Sequence, residues 1–200
     1  MVRYFYMQIP LGDIASVSAG HPFRGTIPGS ETGDVRVVQI RDLDENGQIA
    51  WHNLIRTTIQ GRKQPDWLQV GDILFSARGQ KNLAALIDKP VANTVCAPHY
   101  FIIRVTDNRI APAFLAWQLN QQPAQRYFAK ASQGSAVVSI PRSLLAATPV
   151  TLPALEKQKI IIAIAKAHLQ EKLTLQAMIR NRDTQIQALT NDLIAQANAG

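Results

Sequence analysis

From Ala154 to Ala197 apolar residues recur at helical spacing, and neither glycine nor proline interrupts them. Pro153 stands where a first helical turn favours proline, and Glu156 is set to complement the positive helix start. At 1.5 Å per residue such a helix would be about 65 Å long. In its second half Leu175, Ile179, Arg182, Ile186, Leu189 and Leu193 follow at intervals of 4, 3, 4, 3 and 4, a coiled-coil seam with one polar interruption. Its first half, with Ile160, Ile161, Ile162 and Ile164, is apolar on more than one stripe, which predicts packing against the globular part or a partner. A lone helix cannot bury such a stripe. The pattern predicts a second helix.

Ahead of Pro153 the pattern is shorter and mostly alternating. Ile9 to Val17 predicts a short helix or turn with Asp13 as its N-cap. Residues 18–34 hold four glycines and two prolines and predict a loop. Val35 to Ile40 alternates like a half-buried strand, Asn46-Gly47 makes a tight turn, and Gln48 to Trp51 predicts a second strand. Trp67 to Ser76 predicts a Gly71-Asp72 turn into a buried strand, broken by Arg78 to Asn82 and resumed from Leu83 to Ile87. Thr94 to Cys96 and Tyr100 to Val105 complete the strand-forming material. Pro112 to Asn120, with Phe114, Leu115, Trp117 and Leu119, predicts an amphipathic helix, and Pro123 to Ala131 another. Gln133-Gly134-Ser135 predicts a turn before Val137 to Ile140, Ser143 opens one helical turn, and Val150 to Pro153 forms a hinge. The expected fold class is α+β. A globular domain of mixed sheet and short helices, residues 1–150, precedes a long C-terminal coiled-coil helix, residues 151–200.

Charge narrows the partners. The chain of 200 residues has 21 basic and 14 acidic side chains, a net of +7, and a hydrophobic content of 46% that suits a globular chain. The excess lies mostly before the helix, where residues 1–150 carry 15 basic and 10 acidic groups. A polyanion, with nucleic acid first, is the implied partner. The single cysteine, Cys96, lies in the apolar run Thr94-Val95-Cys96-Ala97, which predicts a reduced, buried thiol and a cytoplasmic location. The N-terminus does not resemble a signal peptide, and no apolar stretch reaches the 18 or so residues of a membrane span.

Catalytic patterns are missing. There is no G-x-x-x-x-G-K-S/T loop and no G-x-G-x-x-G loop. No carboxylate is followed two residues later by lysine, and His21, His52, His99 and His168 have no partner ligand at metal spacing. No Asn/Asp-Pro-Pro-aromatic run is present to hold a flipped base. We expect no covalent chemistry, no metal and no cofactor in this chain. What it offers is polar, basic loops. Arg56, Arg62, Lys63 and Gln64 form one set, Arg78, Gln80, Lys81 and Asn82 a second, and Lys130, Gln133 and Ser135 a third. Arg and Lys can donate to guanine, Gln and Asn can pair with adenine, and the remaining groups suit phosphates. Any one loop is equally an ordinary solvated surface; the three together on a basic domain favour DNA. Trp51, Trp67 and Trp117 read as core.

Several stretches resemble a family. Leu11-Gly12-Asp13-Ile14 with Gly20 and Phe23 is similar to the opening of a type I restriction–modification DNA specificity subunit. So are Gln39-Ile40-Arg41-Asp42-Leu43 with Asn46-Gly47, and Val70-Gly71-Asp72-Ile73-Leu74-Phe75-Ser76-Ala77-Arg78-Gly79. Pro112 to Asn120, Gly134-Ser135, Ile140-Pro141, Leu144-Leu145 and Pro149 to Gln158 follow in the family's order. The resemblance implies a target recognition domain that reads one half of a bipartite DNA site, followed by a helix that acts as spacer and docking surface. It implies an adenine methyltransferase partner, which would carry S-adenosylmethionine, and a restriction/translocase subunit as a further candidate partner. Full subunits have two such units in tandem. A half-length form with one recognition domain and one conserved helix would pair with itself as a homodimer, or with a second half subunit, through Leu175, Ile179, Arg182, Ile186, Leu189 and Leu193. The alternative is an assembly protein, a truncated or decoy specificity subunit, that binds methyltransferase without reading DNA.

Overall fold

The structure is a computed structural model that describes residues 8–23, 25–59, 64–78, 81–131 and 139–198. Its elements are short because glycine, proline and aspartate turns break nearly every apolar run. In chain order they are β1 (Gln8–Pro10), a 3-10 turn (Leu11–Asp13), β2 (Ala15–Ala19), β3 (Val35–Val38), β4 (Ile55–Thr57), β5 (Ile73–Ser76), β6 (Ala84–Leu86), β7 (Thr94–Cys96) and β8 (Tyr100–Val105). Three short helices follow, α1 (Pro112–Leu119), α2 (Gln122–Ala131) and α3 (Arg142–Ala146), then β9 (Pro149–Thr151) and the long α4 (Leu155–Asn198). The α+β expectation holds. The chain divides into two compact units, Met1–Ile160 and Ile161–Gly200. The first ten residues past the expected boundary at 150 thus lie within the globular unit.

The strands form three small sheets, ordered β2-β8-β5-β6, β4-β3-β7 and β1-β9. All pairings are antiparallel except β3 with β7. β5 is buried at every position, which explains its unbroken Ile-Leu-Phe-Ser run. Leu74 joins a core with Val38, Leu54, Cys96 and Tyr100, while Phe75 packs against Phe128 of α2 with ring centroids 5.0 Å apart. A second core gathers Val35, Val37, Val95 and Ala97, with Phe23, Ile27 and Trp67 against it. Trp51, Trp67 and Trp117 are half-buried. Gly20 has a steric reason: a Cβ there would lie 2.2 Å from the Ala97 carbonyl oxygen.

Two aspartates shape the turns before β4 and β5 in the same way. Asp42 Oδ2 accepts the Gln39 N–H, and Asp72 Oδ2 accepts the Gln69 N–H, both at 2.8 Å. Asp72 is further held by Arg104 of β8, whose Nε and Nη2 donate to its two oxygens at 2.7 and 2.8 Å. Its hydrogen bonds push the Arg104 guanidinium above its ordinary pKa, against the opposing effect of burial.

Three amide side chains act as backbone clamps. Gln118 of α1 accepts the Thr151 N–H at 2.9 Å and donates to its carbonyl at 3.2 Å. Asn120 accepts the Ala84 N–H and donates to the Ala84 carbonyl, both at 2.8 Å. Gln158, in the first turns of α4, is fully buried; it accepts the Ala111 N–H and donates to the Arg109 and Pro153 carbonyls, each at 2.8 Å.

Several local expectations are corrected. Ile9 to Val17 is strand, 3-10 turn and strand, and Asp13 ends the 3-10 turn, whose N-cap is Pro10. Pairing of Ile9 with Val150 and of Val17 with Ile103 comes from far along the chain and overrides the local turn signal. The strand expected at Gln48 to Trp51 reduces to one bridge, Leu43 with Ile49, because the Ala50 N–H bonds back to the Asp42 carbonyl and a 3-10 turn follows. The hinge at Val150 to Pro153 is partly strand β9, and Pro153 lies just ahead of α4 rather than in its first turn. Glu156 does occupy that turn. Cys96 is fully buried, and burial pushes its thiol well above the ordinary pKa. Among the described residues no helix is long and apolar enough to cross a membrane.

Candidate nucleic-acid interface

The turn after β5 is built on Ser76. Its hydroxyl donates, as a bifurcated bond, to the Arg78 and Lys81 carbonyls at 3.0 and 3.2 Å, and its carbonyl accepts from Asn82 Nδ2 at 2.9 Å. Drawing these backbone groups inward leaves the side chains of Arg78 and Lys81 exposed. The segment that follows the third loop returns to the same place. Arg78 and Ser139 form a bridge, and the Ile140 N–H donates to the Ala77 carbonyl at 2.9 Å. α2 leads into that loop and is tied to the turn by Gln125, whose Nε2 donates to the Asn82 carbonyl at 2.8 Å. Lys130, in the last turn of α2, is exposed.

The described flanks of the second basic loop and the segment that follows the third therefore lie in one region of the globular unit. Arg78, Lys81 and Lys130 are its described cations, and among the described residues none of the three is in an ion pair. Asn82 is a correction. It is only 6% exposed and its amide is spent on Ser76, so it braces the turn rather than presenting an edge to a base. Gln80, Gln133 and Ser135 lie outside the described residues, as do Arg62 and Lys63 of the first loop. Arg56 is on the other sheet, exposed on β4, and Gln64 is exposed ahead of Trp67. Directly across from Arg56 stands Arg36 of β3, also exposed, which the loop-centred sequence reading passed over. The alternation Val35-Arg36-Val37 was its signal, since an arginine between two buried valines must face outward.

On α4 the seam residues Leu175, Ile179, Ile186, Leu189 and Leu193 are 52–65% exposed, and Arg182 is exposed among them. At 100° per residue these six fall within an arc of about 80°. Ile160, Ile164 and Met178, 59–64% exposed, fall on or beside the same line. Among the described residues no cluster of histidine, cysteine or carboxylate side chains could hold a metal ion.

Residues 6–182 match the family model for the type I restriction modification DNA specificity domain. The chain belongs to that family. Solved structures of such subunits share its fold. Similar ones include the HsdS subunit from Thermoanaerobacter tengcongensis, with a TM-score of 0.62 at 17% identity over 86% of this chain and 44% of that one. A type I R-M system structure, described for complex assembly and conformational transition, gives a TM-score of 0.64 at 16% identity, covering 94% and 44%. The S subunit from M. genitalium gives 0.52 at 14% identity, covering 82% and 39%. The chain spans less than half the length of each. No curated protein matches it by sequence.

Proposed function

We propose that this specificity-domain chain reads one half of a bipartite DNA sequence and directs an adenine methyltransferase to it, without catalysing a reaction itself. The observation that carries the reading is the Arg78–Ser139 bridge, which sets the exposed Arg78 beside the segment that follows the third basic loop, in a chain whose family is a DNA specificity domain. Ser76, Asn82 and Gln125 fasten the backbone on either side of the turn, so Arg78 and Lys81 would meet DNA from positions already held. Gln64, with Arg62, Lys63, Gln80, Gln133 and Ser135 outside the described residues, completes the proposed contact set. S-adenosylmethionine belongs to the methyltransferase partner, and a restriction/translocase subunit is a further partner of the assembly.

The exposed stripe on α4 supports a second part of the proposal. Nine large apolar side chains from Ile160 to Ile194 stand open to solvent, more than a chain keeps uncovered without a partner. A homodimer, or a pair with a second half subunit, would bury the stripe. In a homodimer two-fold symmetry would give an interrupted palindromic site whose gap the helices set. The same stripe is what an assembly protein that binds methyltransferase without reading DNA would use. Sequencing the methylation pattern left on random DNA by the chain with its methyltransferase tests the choice. A defined split motif is the expected result, and methylation without sequence preference would leave only the assembly role.

A further inference from the structure

We propose that Arg36 and Arg56 grip one phosphate of the DNA backbone between them, forming an anion clamp on one face of the β3–β4 pair. The clamp rests on the DNA-reading role and adds to it a residue, Arg36, outside the three loops. β3 and β4 are antiparallel, with Arg36 directly opposite Arg56. The Arg36 N–H donates to the Asn93 carbonyl at 2.8 Å, on the β7 side, so its main-chain groups turn away from β4. The Arg56 carbonyl likewise accepts from the Ser30 N–H at 2.9 Å, away from β3. The two residues therefore form a non-hydrogen-bonded pair, the type in which Cα atoms approach to about 4.5 Å and side chains lie closest.

Both residues are exposed and, being directly opposite, share one face of the β3–β4 pair. Two positions on, the same face of β3 enters the core at Val38, so the exposed Arg36 stands next to packed structure. Like charges directly opposite weaken a strand pair. A carboxylate would relieve the repulsion, yet among the described residues neither arginine has an ion-pair partner, and Asp34, exposed two positions before Arg36, is in no ion pair. Thr94, opposite Arg36 on β7, turns its hydroxyl to the Ala92 carbonyl. An oxyanion placed between the heads converts the repulsion into charge-assisted hydrogen bonds from two planar donors. A phosphodiester and inorganic phosphate share that chemistry. The net charge of +7 and the specificity-domain family favour the phosphodiester.

The test is fluorescence anisotropy of the 200-residue chain with a labelled random-sequence duplex, read across a salt series. Arg36→Gln and Arg56→Gln, each leaving one arginine on the phosphate, should lower affinity but flatten the slope of log affinity against log salt by much less than the double variant, which should flatten it by about 0.9, one phosphate contact. Between 50 and 200 mM salt the double variant then loses about 3.5-fold less affinity than wild type. Single variants that each flatten the slope by about 0.9, with a fall of about 1.8 in the double variant, would assign two separate phosphates; a double variant whose slope does not change would take the pair out of the interface. Either result overturns the clamp and leaves the DNA-reading role standing. Thermal melts with added inorganic phosphate separate the two sources. If wild type gained stability from phosphate, the single variants did not, and no form bound duplex, the pair would be a free-anion site and both the clamp and the DNA reading would fall. The same melts report folding, and the variants should melt no lower than wild type.

Discussion

The two units of the chain invert the usual arrangement in opposite senses. In the globular unit polar side chains are buried: Asp42, Asp72, Ser76, Asn82, Thr94 and Gln158 are at most 6% exposed. In the distal part of α4 large apolar side chains are exposed, up to 65% at Leu193. The difference is in how each exception is satisfied. The buried polar groups find partners within the unit, and among the described residues Gln39 Nε2 alone is a buried polar side-chain atom without one. The exposed apolar groups find nothing in their own unit. Buried polarity here fastens a self-sufficient fold, whereas exposed apolarity marks a surface made for another molecule.

The comparison can be broken from either side. Asp72→Ala removes both acceptors from Arg104, which is partly exposed and keeps Asp66, and removes the acceptor of the Gln69 N–H; it should cost about 2–3 kcal/mol in urea unfolding. A loss below 1 kcal/mol would mean the buried aspartate fastens nothing. Leu189→Asp should weaken self-association measured by sedimentation by more than about 100-fold, close to 3 kcal/mol, while the globular unit unfolds as before. A wild-type chain that sediments as a monomer at high concentration would end the self-pairing proposal outright. Gln158→Ala strands the Ala111 N–H and should lower stability by about 1–3 kcal/mol, with no effect on pairing. The smallest effect concerns Cys96. Its raised pKa keeps the thiol protonated in the fold, so stability is intact below the ordinary thiol value of about 8.5 and declines as pH rises past it. In neutral buffer a thiol reagent should label Cys96 only on unfolding.

Legibility in the sequence followed the range of the interactions. α4 was legible because no breaker interrupts it, and β5 because a continuous apolar run after Gly71-Asp72 has one reading; Gly71 takes φ +92°, a conformation glycine adopts freely. β1, β2 and β9 were not, since two of the three are three-residue strands and β1 and β9 pair across some 140 positions, beyond any local pattern. The return of the chain to Arg78 at Ser139 was equally invisible, because it depends on a bridge between residues far apart in sequence. Asn82 shows a different limit. An asparagine in a basic loop has the chemistry of a base reader and of a turn brace alike, and only its position relative to Ser76 decides. Arg36 was legible by alternation, since it stands between two buried valines.

Asn120 has one more consequence, which concerns misassembly. β6 is the edge of its sheet, and alternation turns Ala84 and Leu86 outward. By bonding both main-chain groups of Ala84, Asn120 stands where the next strand would begin, so a foreign strand meets an edge already half occupied. A single amide at the end of α1 thus blunts the edge against strand-by-strand aggregation.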